Sequence, residues 1–194
     1  MYLMSNKNFK NYWIILLIGS IIGLVSSLIQ TIERISYAVK PEVALQCDIN
    51  AVFSCSNVFD AWQSSFFGFS NSLLILAFFG ILTGISLTGV SGSKINKKLR
   101  LIFQFFALFF LAFGTWYLWQ STFVIGYLCI FCSFNYLAVV IVNWALLRLN
   151  ANDLFKSKSS SAKWQKIQNA GADTFLWMLW VLIVAGIIIL HFNN

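Results

Sequence analysis

Apolar positions along this chain neither alternate nor recur on one helical face; they continue for whole spans. Five runs reach the about 17–25 residues a helix needs to cross the hydrocarbon of a bilayer. They cover residues 12–32, 66–88, 101–124, 127–147 and 174–192. A run that is apolar on every side predicts a helix bathed partly in lipid, not one lying over a soluble core. The expected fold is therefore an all-α integral membrane protein. A four-helix transmembrane bundle with a fifth transmembrane helix beside it would form a single membrane domain over residues 1–194. Only Ile125 and Gly126 separate the third and fourth runs, which predicts an antiparallel hairpin. Gly19 with Gly23 and Gly80 with Gly84 stand at the small-xxx-small spacing that lets helices pack closely. In the polar stretch 33–65, Val58, Trp62, Ser65 and Phe66 fall on one helical face. That pattern predicts a short helix lying flat at the interface with Trp62 inward. Residues 150–169 are rich in serine and lysine and read as a flexible connection or a surface helix.

Composition supports the membrane reading. Of 194 residues, 59% are hydrophobic and only 10% charged, with a mean hydropathy of +0.79. A soluble domain carries about 25% charged residues, so a water-covered globule is excluded. The net charge of +7 would suggest nucleic acid on a soluble protein. Its placement removes that reading. Lys7, Lys10, Lys94, Lys97, Lys98, Arg100, Arg148, Lys156, Lys158, Lys163 and Lys166, 11 of the 13 basic residues, fall on one side of the alternating spans. Arg34 and Lys40 fall on the other. The positive-inside rule then predicts a cytoplasmic amino terminus and an outer carboxyl terminus. The first run reads as a retained span, because its apolar core exceeds the about 7–15 residues of a signal peptide and no small-residue cleavage site follows. A single histidine, His191, argues against a histidine triad or histidine metal site. No carboxylate lies deep in a span, so the usual carboxylate ion pathway is unsupported.

Four cysteines carry the candidate chemistry. Cys47 and Cys55 lie in the outer loop; Cys129 and Cys132 form a C-x-x-C in the first turn of the fourth span. Charge and topology place all four at the outer, oxidising surface, where disulfides persist. In the C-x-x-C both sulfurs face one way, separated by about 4.5 Å of helical rise. Two pairs in series suit a relay by thiol–disulfide exchange from a mobile loop to a deeper pair. Two structural disulfides, a four-cysteine zinc site and free cysteines acting as small hydrophobes are the alternatives. No metal site is expected, because an oxidising compartment works against zinc–thiolate ligation.

The residues around these cysteines resemble the vitamin K epoxide reductase family. Cys47-Asp48, then Ser54-Cys55-Ser56-Asn57-Val58-Phe59, then Asn71-Ser72, then Cys129-x-x-Cys132 with Tyr136 four residues on, occur in the order of that family. The resemblance implies that Cys47 exchanges with a separate thioredoxin-like (DsbA-type) thiol oxidase, that Cys55 passes electrons to Cys129, and that Cys132 faces and reduces a quinone, ubiquinone or menaquinone. It further implies that Asn71 and Tyr136 hydrogen-bond the quinone oxygens and that Phe59 closes the pocket. The plainer reading of Asn71 is a helix cap, and of Tyr136 an interfacial anchor. Ala61 stands where the family usually has serine, so a role resting on that hydroxyl, epoxide chemistry included, is not carried over. The expectation is a disulfide-generating enzyme of a bacterial inner membrane. Vitamin K epoxide or quinone reduction, and a non-catalytic membrane protein with structural disulfides, are the alternatives.

Overall fold

The computed structural model describes residues 6–42, 45–155 and 157–193. Helix α1 (Asn6–Val39) is followed by a turn-rich segment, then by α2 (Cys55–Asp60) and a 3-10 turn (Trp62–Ser65). Helix α3 (Asn71–Val90) and α4 (Lys97–Gln120) come next, α4 running on through a π turn (Ser121–Ile125). Helices α5 (Ile130–Leu154), α6 (Lys158–Asn169) and α7 (Ala172–Asn193) complete the chain. Five helices, α1, α3, α4 with its π turn, α5 and α7, are long and apolar enough to cross a membrane. The protein is a multi-pass, all-α membrane protein. Among the described residues the strand-like pairing is a single bridge between Phe53 and Leu128.

Helix α1 packs along both α3 and α5, and α4 packs on α5. Leu16, Phe79, Leu82, Val142 and Leu146 fill the centre. Close approach there depends on missing side chains. A Cβ on Gly23 would stand 2.3 Å from the Phe79 ring, and one on Gly19 2.9 Å from Ile141. The expected packing role of that glycine pair is therefore present. The second pair differs: Gly84 faces open space, and Gly80 meets only Leu24 at 3.8 Å. Helix α7 lies at the rim, with Leu176, Leu182 and Ile189 exposed, as lipid contact requires.

Element ends differ from the apolar runs because polar partners set them. Helix α1 continues past residue 32 to Val39, where its last turns bind α2. The Arg34 guanidinium donates to the Phe59 carbonyl and lies over the Phe59 ring, and the Tyr37 hydroxyl donates to Asp60 at 2.7 Å. Helix α5 continues past residue 147 because Arg148 and Asn150 are buried inside it, not set in a loop as expected. Arg148 donates to both Asp173 oxygens, at 2.7 and 2.6 Å, and to the Tyr12 hydroxyl at 2.8 Å. The second span starts at Asn71, not at residue 66. Gly68, at φ +83°, turns the chain just before it. The short interfacial helix exists, but as α2 and the 3-10 turn, with Val58 and Phe59 inward. Trp62 is 65% exposed on the protein surface and its ring lies tilted against Trp116. Of the two readings of 150–169, the surface helix is found as α6.

Candidate active site

Backbone pairing brings the two cysteine pairs together. Asn50 accepts from the amides of Val52 and Phe53, at 2.9 and 2.8 Å, and so turns the loop. The Ser54 amide then donates to the Leu128 carbonyl at 3.0 Å, and the Leu128 amide to Val52 at 2.8 Å. Cys55 and Cys129 are the next residue on each strand, so they follow side by side. Each begins a helix. Ser54 caps α2. Cys129 is the cap of α5, one residue ahead of its first turn, with its sulfur accepting from the Cys132 amide at 3.4 Å. It stands where an oxygen-bearing side chain usually stands.

Cys47 and Cys55 form a disulfide, and Cys129 and Cys132 are free thiols. Cys55 Sγ lies 3.5 Å from Cys129 Sγ. The loop is docked in this structure: Cys47, Cys55 and Cys129 are each at most 1% exposed. Asp48 holds it down. One carboxylate oxygen accepts from the Ser54 hydroxyl at 2.9 Å and the Ser56 amide at 3.1 Å, and the other from the Leu45 amide at 3.4 Å. Partial burial pushes the Asp48 carboxyl up. The bonds from Ser56, Ser54 and Leu45 outweigh it and hold the carboxyl below its ordinary range.

Beneath α2 a cavity opens between α1, α3, α4 and α5, with Cys132 on its wall. Phe67, Phe110, Phe113 and Tyr117 supply aromatic surface; Phe59, 3% exposed, forms part of the roof. Asn71 is not a cap: Ser70 holds that position, and the Asn71 amide donates to the Gln63 carbonyl at 2.7 Å. The Asn71 and Asn135 side-chain oxygens are buried here without a hydrogen-bond partner. Tyr136 is 5% exposed, not an interfacial anchor. Its hydroxyl accepts from Trp180 Nε1 at 2.8 Å and meets Thr115 Oγ1 at 3.0 Å. Thr115 donates its own proton to the Leu111 carbonyl, so Tyr136 donates to Thr115. Both Tyr136 bonds are thus spent inside the protein, and the ring faces the cavity. Unpartnered buried polar atoms in an aromatic cavity ask for a flat ligand carrying oxygens. A quinone fits that description: its hydroxyl-bearing reduced form would donate to the two free amide oxygens while the Asn71 amide nitrogen stays on the Gln63 carbonyl.

The sequence profile described as the Vitamin K epoxide reductase family matches residues 14–147. That is well over half of the chain. The chain belongs to this family. No curated protein gives a match. Membership makes the protein a membrane oxidoreductase, in a family known for quinone and vitamin K use. The matched stretch of this vitamin K epoxide reductase family member contains all four cysteines, Phe59, Asn71 and Tyr136; α7, with Trp180, lies beyond it. Sequence reading missed Gln30, whose amide nitrogen lies 3.0 Å from Cys132 Sγ, and Asn135, whose amide donates to Gln30 at 2.8 Å. The available signal was Ser27, Gln30 and Thr31, three polar residues on one face of an otherwise apolar run.

Proposed function

We propose that the protein oxidises the dithiol of a soluble thioredoxin-like, DsbA-type partner and passes the electron pair to a quinone, ubiquinone or menaquinone. The observation that carries this reading is the 3.5 Å approach of Cys55 Sγ to Cys129 Sγ, which joins two cysteine pairs, with Cys132 on the wall of the cavity. The overall exchange is partner dithiol plus quinone to partner disulfide plus quinol, moving two electrons and two protons. One partner thiolate attacks Cys47 and opens the loop disulfide; the second partner thiol displaces Cys47 and leaves both loop cysteines reduced. Cys55 then attacks Cys129 of a Cys129–Cys132 disulfide and releases Cys132 as thiolate. Cys47 attacks Cys55, re-forms the loop disulfide and frees Cys129. A closed loop disulfide above two free thiols fits the state after this transfer. The quinone supplies a two-electron, two-proton acceptor; Asn71 holds one of its oxygens, Phe59 and the Tyr136 ring exclude water, and the Cys129 and Cys132 thiols give up the electrons and protons. In a bacterial inner membrane the cysteine end faces the periplasm, and the basic end, with Lys94, Lys97 and Lys163, the cytoplasm.

The test follows quinone absorbance with the purified protein, a soluble quinone and a reduced thioredoxin-like thiol oxidase. Consumption is expected to require both the thiol protein and Cys132. Cys132→Ala should consume none and still exchange thiols at Cys47. Normal quinone consumption by that variant, or four cysteines that never change state, would sink the relay.

A further inference from the structure

At the end of the bundle away from the cysteines, the start of α1, the last turn of α3 and the start of α4 surround another cavity, of about 790 Å³. Its floor is apolar. Trp13 is 2% exposed, meets the Phe9 ring edge-on at 6.2 Å, and packs so closely on α3 that a Cβ on Gly89 would stand 2.3 Å from the indole. Its wall is basic: Lys10, Lys94, Lys97 and Arg100 line it, and no carboxylate is among the lining residues. Asp153 on α5 answers part of that charge from behind. It takes Lys97 at 3.0 Å and Arg100 at 2.5 Å, and Arg100 is fixed further by Asn150 Oδ1 at 3.1 Å and the Ile95 carbonyl at 3.0 Å. Lys10 and Lys94 have no ion-pair partner among the described residues. Four cations facing one carboxylate leave three positive charges unanswered. Basic residues at one membrane surface are ordinary and orient the chain. That rule asks for charge alone. It does not account for a cavity between three helices with a buried indole beneath the charges.

We propose that this cavity binds one anionic phospholipid, with its phosphate among Lys10, Lys94, Lys97 and Arg100 and the start of its acyl chains against Phe9 and Trp13. A basic pocket between membrane helices at the bilayer surface suits such a headgroup. A soluble phosphate would satisfy the wall and leave the floor wet; a zwitterionic lipid would cover the floor and leave the wall unanswered. The lipid would tie the start of α1 to the turn between α3 and α4. The inference is independent of the proposed redox function, because the cavity lies at the other end of the bundle from Cys129 and Cys132.

The test uses full-length protein in a mild detergent. Native mass spectrometry follows adducts during titration with phosphatidylglycerol or with phosphatidylcholine of the same acyl chains. The parent protein is expected to hold one phosphatidylglycerol on the order of tenfold more tightly than phosphatidylcholine. Lys10→Gln with Lys94→Gln should remove most of that preference, lowering phosphatidylglycerol affinity on the order of tenfold. Both lysines are exposed, so the double variant keeps its core. The control is Lys163→Gln with Lys166→Gln, which takes the same charge from two exposed positions on α6 and should leave the affinity unchanged. Equal losses in the two double variants would mean diffuse attraction to a basic surface and would overturn the site. Equal binding of the two lipids by the parent protein would overturn it as well. Displacement of the lipid by inorganic phosphate at constant ionic strength would show a soluble-anion site instead. Because a ligand that binds only the folded state stabilises it, phosphatidylglycerol should also raise the thermal midpoint of the parent and of the α6 control, and not that of Lys10→Gln with Lys94→Gln.

Discussion

One carboxylate ties together the loop that carries Cys47 and Cys55. Asp48 accepts from Ser54, Ser56 and Leu45 across the loop, and these bonds hold its carboxyl below the ordinary range despite partial burial. A depressed folded value contributes stability that is complete above the ordinary carboxylate pKa and is lost as pH falls through the folded value. Docking of the loop should therefore be constant from neutral pH down to about pH 4 and fail below it. The check is the rate at which a water-soluble phosphine, active in acid, reduces the Cys47–Cys55 disulfide. That rate is expected to rise at least several-fold between pH 5 and pH 3. Asp48→Ala should show the fast rate already at pH 6 and no further acid step. A parent protein with a flat profile, or a variant that keeps the step, would place the docking elsewhere. The same residue marks a limit of sequence reading. Cys47-Asp48 is visible as a motif, but three donors from Leu45, Ser54 and Ser56 are brought together only by the turn at Asn50.

At the scale of elements, the link between α5 and α7 is a buried ion pair. Arg148 and Asp173 meet at 2.6 Å with side chains 10% and 3% exposed. The guanidinium is further held by Tyr12 and Thr174 and lies over the Trp144 ring at 4.7 Å. Breaking such a pair by removing one partner costs about 3–5 kcal/mol, because the other charge stays buried, whereas replacing both by apolar residues is often close to neutral. Asp173→Ala is thus expected to lower the thermal midpoint in detergent strongly. Arg148→Met with Asp173→Leu should recover most of the loss. A double variant as unstable as the sum of the singles would mean that the two side chains are not coupled, and would sink the ion-pair account. The five spans were legible in the sequence because hydropathy is averaged over some twenty residues. Their ends were not. Arg34 with Phe59 prolongs α1, and Arg148 with Asp173 prolongs α5, and each pairing is long-range. The meeting of the four cysteines was legible from charge and span count. Gln30 was not read, because one amide in an apolar run looks tolerable until its partners Asn135 and Cys132 are known.

Over the whole molecule, the two ends of the bundle do different work. Basic residues gather where α3 meets α4 and α5 meets α6; the cysteines gather where α1, α2, α4 and α5 meet. Between the loop pair and the cavity the contact is Cys55 to Cys129, and Cys132 lies one turn further in, against Gln30. Any electron pair that enters at Cys47 must pass that contact, since thiol–disulfide exchange requires sulfur to reach sulfur. Cys129→Ser removes the contact and leaves both ends intact. With a reduced thioredoxin-like partner, the loop disulfide of this variant is expected to open by exchange with the partner dithiol and re-form by the reverse exchange with the partner disulfide, while no quinone is consumed. Nonreducing gels should then show the Cys47–Cys55 bond or a mixed disulfide between Cys47 and the partner, and no crosslink to α5. Given the oxidised partner in place of the reduced one, Cys55→Ser should show the same mixed disulfide, formed when the free Cys47 thiolate opens the partner disulfide and releases one partner sulfur as thiolate, with no Cys55 on the loop to resolve it. Quinone consumption by Cys129→Ser within tenfold of the parent rate would mean that the loop delivers electrons directly to Cys132. The relay would then need a loop position more than one helical turn from the docked one, and the pairing of Ser54 with Leu128 would have to open in every cycle.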